Sequence, residues 1–490
     1  MKRFPFALGC SASLALAGLV GCSSSDSSAG SDAGELPDAA PDNRADGGPE
    51  PDASEDGALT DAGDEADGAF GDVAEEVEAG GSSEDCTRLA ALDAELATMT
   101  EDGVRAAAVA QFLGQIAGSA GMPVRCGGTV TFVFGAPQGF GVASVAGDFN
   151  GWDAAAAPMA AVGGVYWRAS LPVDPGLNRY LYKFTNGQQW VADPEARRFG
   201  YDQNGEYSLV SGGMAKGHLE RHRGIAGAGL EPRDVTMYLP PGYEATQGSY
   251  PVLYAQDGQN LFDPTAFWGG WHLDEAIEGL LQQNAIQPMV VAGISNTAAR
   301  MDEYTHVPDE VTGQTVGGQA EAYYSLLVTE VMPLVGKHYR VKTGPANTWT
   351  MGSSLGGVIS LYFGMKHPEV FGRVAGMSTT AGWGSIALHN QTLIELLPTL
   401  GKPSAVFYLD SGGDDGGGSG CVDTDGDGIR DDTSNAGDNY CESLQLREVF
   451  LAQGYVSGSD LEYWWEAGAE HNEAAWAARV YRPLEILAAP

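Results

Sequence analysis

Positive charge is scarce in this sequence: 26 Lys and Arg stand against 65 Asp and Glu, a formal net charge of -39. So acidic a chain repels phosphate backbones, which argues against nucleic acid as a partner. Aromatic residues and basic residues are nearly missing from Ser23 to Asp85, where twenty acidic residues meet one basic residue, Arg44. Such a stretch cannot bury enough apolar surface to offset its ordering entropy, so 22-85 reads as a disordered acidic linker. Apolar runs are short as well. The run from Phe4 to Val20 is too brief to span a bilayer comfortably, and it follows Lys2-Arg3. That combination reads as a secretory signal over 1-21.

The residues "LVGC" at Leu19 to Cys22, followed by serines, resemble a bacterial lipobox, which makes Cys22 the expected lipidation site and a bacterial cell envelope the expected location. Cysteine is limited to six. Cys10 leaves with the signal and Cys22 takes the lipid, so Cys86, Cys126, Cys421 and Cys441 remain. In an oxidising compartment they form two sequence-local pairs, Cys86 with Cys126 and Cys421 with Cys441.

Apolar positions at Leu89, Leu92, Leu96, Val104, Ala108, Phe112 and Ile116 recur at helical spacing, so 86-126 is a short helical segment. Between 127 and 212, short β-rich runs separated by Gly, Pro and Asn turns predict an immunoglobulin-like β-sandwich. "GDFNGW", "YKF" and "GQQWVADP" in that module resemble the early-set glycogen-binding domain found beside starch-active enzymes. The resemblance places Trp152, Lys183 and Trp190 against a glucan, since aromatic faces stack on sugars and lysine donates to hydroxyls. From 213 to 490 apolar strands alternate with helices, which predicts a mostly parallel sheet with flanking helices.

Within that last region "TWTMGSSLGGVISLYFGMKHP" holds Gly352-x-Ser354-x-Gly356 between a strand and an apolar helix. The glycines allow the strained turn that exposes a nucleophilic serine, here Ser354. A serine hydroxyl needs a base. Of the histidines near or beyond the elbow, His338 and His367 fall on helix faces and His389 is a second choice. His471, in "GAEHNEAAWAARV", stands where the fold's chain order puts the base.

These motifs, with "YPVLYAQDGQNLFD", "MSTTAGW" and "YLDSGGDD", resemble the esterase D superfamily of α/β-hydrolases, which includes enterochelin-esterase-like and feruloyl-esterase-like enzymes. The resemblance implies a serine esterase with no cofactor for catalysis. It implies Asp415 as the triad acid, with Asp414 beside it and Asp410 an outsider, and backbone N–H groups of Gln259 and Leu355 as the oxyanion hole. It also implies an ester substrate, expected on a polysaccharide. A siderophore trilactone, acyl transfer to a sugar, and a non-catalytic glucan-binding lipoprotein are the other readings. The 34 acidic and 15 basic residues of 213-490 sit poorly with an anionic ferric catecholate.

An acidic insertion spans 416-441. Its "DTDGDGIRDD" sets Asp423, Asp425 and Asp427 at alternate positions, then Ile429 as a carbonyl donor and Asp431. That is the ligand spacing of a calcium loop, with Ser434 where a bidentate glutamate is usual. It also resembles thrombospondin type 3 repeats, so a structural calcium is expected.

Overall fold

The structure is a computed structural model that describes residues 83–172, 180–211, 215–414, 420–432 and 437–490. The signal, Cys22, nearly all of the linker and Asp415 lie outside the described residues. Among the described residues no helix is long and apolar enough to cross a membrane.

Two helices, Ser83–Thr98 and Asp102–Ala117, open the described chain. The expected apolar positions Leu89, Leu92, Leu96, Phe112 and Ile116 are buried together with Val133 and Val162 of the neighbouring β-structure. The segment does not stay helical to 126. Met122–Pro123 turns the chain, and Val124–Cys126 pairs antiparallel with Thr129–Gly135. The Cys86–Cys126 disulfide, with Cα atoms 5.6 Å apart, ties the first helix to that strand.

The sandwich has a four-stranded face built from Val124–Cys126, Thr129–Gly135, Tyr166–Pro172 and Ala160–Val162. Alternation sends Val130, Phe132 and Phe134 inward, where they meet Tyr182 and Phe184 of Leu181–Thr185. Phe134 stacks on Phe184 with ring centroids 4.4 Å apart. Burying each such side chain contributes about 1.5–3 kcal/mol.

The second face of the sandwich does not end at a domain border. Arg198–Asp202 pairs antiparallel with His218–Gly227, which pairs with Leu230–Leu239, and the sheet runs on into the strands that follow. Its far half is parallel, in the order Leu461–Trp465, Val406–Ser411, Arg373–Met377, Thr348–Ser353, Val252–Gln256 and Val290–Ile294. Alternating apolar strands and helices had predicted that parallel half, and the α/β-hydrolase architecture with a preceding sandwich is what the chain adopts. Helix Leu355–Lys366 is buried from Leu355 to Met365, which explains its apolar composition on every side.

Where sandwich and parallel sheet join, polar groups are buried in pairs. Arg197 donates to Ala117 O at 3.1 Å and Ser119 O at 2.6 Å, and its other terminal nitrogen lies 2.7 Å from His222 Nδ1. Tyr339 donates to Glu220 at 2.9 Å, and Arg198 Nε does so at the same distance. Burial and Arg197 hold the His222 imidazole down at about 3, so it stays neutral. One arginine thus fastens helical hairpin and strand together.

Candidate active site

The ends of five adjacent parallel strands bring the candidate residues to one edge, the usual place for a site in such a sheet. Thr348–Ser353 runs into Ser354, which sits at φ 57° and ψ -121° as the residue before helix Leu355–Lys366. That left-handed φ is costly for serine and persists only because the surroundings enforce it. A Cβ on Gly352 would lie 2.5 Å from the Gly356 carbonyl, so the motif's first glycine is required by close backbone approach. Ser354 donates its N–H to Met377 O at 2.9 Å and stays half-buried, whereas Ser353 is buried. Leu355 opens the helix, so its N–H has no intrahelical acceptor.

After Val252–Gln256 the chain turns at Asp257, also left-handed at φ 57°, into the short helix Gly258–Asn260 that carries Gln259. Arg300 grips the Asp257 carboxylate from both sides, Nε to Oδ1 at 2.7 Å and Nη2 to Oδ2 at 2.8 Å. Asn296 adds 2.5 Å to Oδ1. Arg300 opens the short helix Arg300–Glu303, whose Glu303 meets the Arg233 guanidinium through two 2.7 Å bonds in the interior. A Cβ on Gly356 would come within 3.1 Å of Asp257 Oδ2, so this loop touches the elbow directly. Asn260 in turn donates to Glu473 at 3.2 Å, two residues beyond His471.

His471 follows Leu461–Trp465 and precedes helix Glu473–Arg479, capped by Asn472 whose side chain accepts from Ala475 N at 3.0 Å. Its Nδ1 lies 2.5 Å from Asp438 Oδ1. The carboxylate that meets this nitrogen is Asp438; the expected acid, Asp415, lies outside the described residues. The insertion separates the strand end from Asp438 in sequence and not in space. Gly412 N, at the strand end, donates to Asp438 Oδ2 at 2.6 Å. The available signal was that Asp438 falls outside the alternating D-x-D ladder and just before helix Tyr440–Ala452.

Asp438 has no exposed surface. Its Oδ2 also accepts from Ser378 Oγ at 2.5 Å and Arg479 Nη2 at 3.2 Å. Asp410, a bystander in the sequence reading, is buried at the end of its strand, 3.2 Å from Arg479 Nε and 3.0 Å from the Tyr408 hydroxyl. Burial pushes the Asp410 carboxyl up to about 6 against the pull of Arg479. Sequence reasoning missed Ser378, Trp476 and Arg479 together with Asp257 and Arg300, because none belongs to a spaced motif.

Residues 230–480, more than half of the chain, match the family profile described as putative esterase, and residues 122–196 match carbohydrate-binding module 48, the isoamylase N-terminal domain. The chain belongs to the putative esterase family. This esterase is 31% identical to YbbA, an uncharacterised protein of Bacillus subtilis, over 41% of its own length and 74% of the relative's. It is 26% identical to an endo-1,4-beta-xylanase/feruloyl esterase of Xylanibacter ruminicola, over 28% of its own length and 18% of the other. Among solved structures it is similar to the enterobactin esterase of Shigella flexneri at 15% identity, covering 73% of this chain and 92% of that one, with a TM-score of 0.42.

In the sandwich of this esterase, Trp152 and Trp190 lie with ring centroids 6.1 Å apart, tilted by 47°, and Trp190 is 43% exposed. Lys183 does not join them as expected. It is buried, and its Nζ donates to Asn204 O at 2.8 Å, bracing the turn between Arg198–Asp202 and Gly205–Leu209. The insertion is clipped by the Cys421–Cys441 disulfide. In it Asp423, Asp425 and Asp427 offer oxygens within 4.8 Å of one another. Asp431 stands apart from that trio and accepts the Thr424 N–H at 2.7 Å. Ile429 is buried.

Proposed function

We propose that this esterase is a serine carboxylic-ester hydrolase that works through an acyl-enzyme. The observation that carries the reading is a serine held in a strained strand-to-helix turn at the same sheet edge as a histidine oriented by a buried aspartate. Asp438 accepts a hydrogen bond from the Nδ1–H of His471, which leaves Nε2 as the basic nitrogen. Nε2 accepts the Ser354 hydroxyl proton as Oγ attacks the ester carbonyl, and Asp438 stabilises the imidazolium. The N–H groups of Leu355 and Gln259 donate to the oxyanion, each worth about 2.7–4 kcal/mol. His471 then protonates the departing alkoxide, and water, deprotonated at the same nitrogen, releases the acid.

The substrate in this reading is an acyl or aryl ester of a polysaccharide. The match to a carbohydrate-binding module, the Trp152–Trp190 pair and the feruloyl esterase named among the relatives support it. Asp423, Asp425 and Asp427 supply hard oxygen donors suited to a structural calcium. Its contribution would be to stiffen the insertion. A lipid on Cys22 would hold the esterase in a bacterial cell envelope, with the acidic linker as spacer.

A panel of feruloyl, acetyl and trilactone esters, assayed with wild type and Ser354→Ala, tests this. Release of ferulate or acetate that stops in Ser354→Ala is the expected result. Hydrolysis surviving that substitution, or restricted to the trilactone, would overturn respectively the mechanism and the substrate class. Retention on immobilised starch that drops in the Trp152→Ala, Trp190→Ala double variant is expected for the sandwich.

A further inference from the structure

Asp438 has two oxygens and four groups that approach them. Oδ1 meets His471, while Oδ2 takes Ser378 Oγ, Gly412 N and Arg479 Nη2. The helix Glu473–Arg479, starting two residues after His471, sends Trp476 and Arg479 to the far side of the acid. Trp476 donates to Ser378 Oγ at 2.9 Å and presents its edge to His471 at 5.0 Å and 81°. Arg479, 1% exposed, donates to the same Ser378 Oγ at 2.5 Å and faces Asp410 through Nε. Asp410 also accepts Ser378 N at 3.2 Å and the Tyr408 hydroxyl.

Two buried carboxylates would repel each other across this small volume. A guanidinium between them cancels one charge and leaves one to meet the imidazolium that forms during reaction. Its planar fork also fixes direction, which an ammonium would do less well.

We propose that Arg479, braced by Asp410, is a positioning residue for the triad acid: it pins Oδ2 of Asp438 so that Oδ1 stays on His471. This rests on the reading of Ser354, His471 and Asp438 as the reacting set. Arg479 touches no substrate, so its loss acts on the chemical step and not on substrate binding.

The test uses the full chain and a chromogenic ester, measuring kcat, KM and the pH profile of kcat. Arg479→Met should lower kcat roughly 10- to 100-fold, the scale of a misplaced catalytic group, with KM within about twofold. Arg479→Lys should recover part of the loss. Asp410→Asn should move the acid limb of kcat to lower pH, because one negative charge near the imidazolium is gone. The charged or titratable groups facing Asp410 are Tyr408, Asp438 and Arg479. Wild-type kcat in folded Arg479→Met, or a loss that only tracks the unfolded fraction, would overturn the proposal. Should Arg479→Met not fold, an unmoved acid limb in Asp410→Asn overturns it instead. Full activity in Ser354→Ala or Asp438→Asn would bring down the catalytic assignment as well, whereas dead Ser354→Ala beside intact Arg479→Met sinks this proposal alone.

Discussion

Asp193 and Asp438 are two of the described aspartates without exposed surface, and their surroundings differ. Asp193, in the sandwich, is held by neutral donors: the Tyr182 hydroxyl at 2.7 Å and Glu195 N at 2.8 Å. Burial pushes its carboxyl up to about 7, so it spends much of the physiological range protonated. Asp438, at the strand ends, is held by a guanidinium, a backbone N–H and a hydroxyl, and turns its remaining oxygen to an imidazole that is 35% exposed. Depth alone therefore does not set a carboxylate against a base. What separates the two is a buried cation on one side and a solvent-reaching base on the other.

Substituting the two acids gives the sharpest contrast. Asp438→Asn should lower kcat by about 10⁴-fold, because an amide favours the wrong imidazole tautomer. Asp193→Asn should leave kcat near wild type, and so should Asp415→Asn. Initial rates under saturating substrate decide this, and a large loss from Asp415→Asn would return the acid to the near end of the insertion.

A smaller effect separates their pH behaviour. The folded-state value of Asp193, about 7, lies above an unfolded value of about 3.9, so the native state binds the extra proton between them. Its stabilising contribution is complete below about pH 4 and is lost as pH rises through about 7. Glu442, pushed up to about 8 by burial, adds to the same trend. Wild-type Tm should fall on the order of 5 °C between pH 5 and pH 8.5, and Asp193→Asn should flatten that slope. Scanning calorimetry across pH measures it, and an unchanged slope in the variant would remove Asp193 from the account.

The smallest effect concerns the insertion. Cys441 lies three residues after Asp438, so the clipped acidic loop borders the carboxylate that meets His471 and not the sandwich. Chelation with EDTA should lower Tm by a few degrees, since a ligand at a hundredfold excess over its Kd adds about 2.7 kcal/mol. It should also reduce kcat while leaving starch retention intact. No change in either Tm or rate would make the insertion a bystander without metal.

Much of this was legible in the linear chain. The parallel half of the sheet followed from alternating apolar strands and helices, and Ser354 from two glycines at fixed spacing. His471 followed from chain order. Asp438 was not legible, because the rule for the acid counts residues from a strand end and an insertion breaks the count. Lys183 was misread because its motif says which residues are present and not that Asn204 lies within reach of its Nζ. Nor was the sandwich's junction with the catalytic sheet legible, since the pairing of Arg198–Asp202 with His218–Gly227 joins two segments that had been divided at 212.

By itself the sequence determined what depends on local chemistry: the acidic linker composition, strand and helix periods, the elbow glycines, the disulfide partners and the D-x-D ladder. Only the tertiary structure decided which of several aspartates reaches the histidine, and which arginine stands behind it. The physical reason is range. Backbone strain and periodicity act within a few residues, whereas an ion pair such as Arg479 with Asp410 depends on distance in space, which chain separation does not encode.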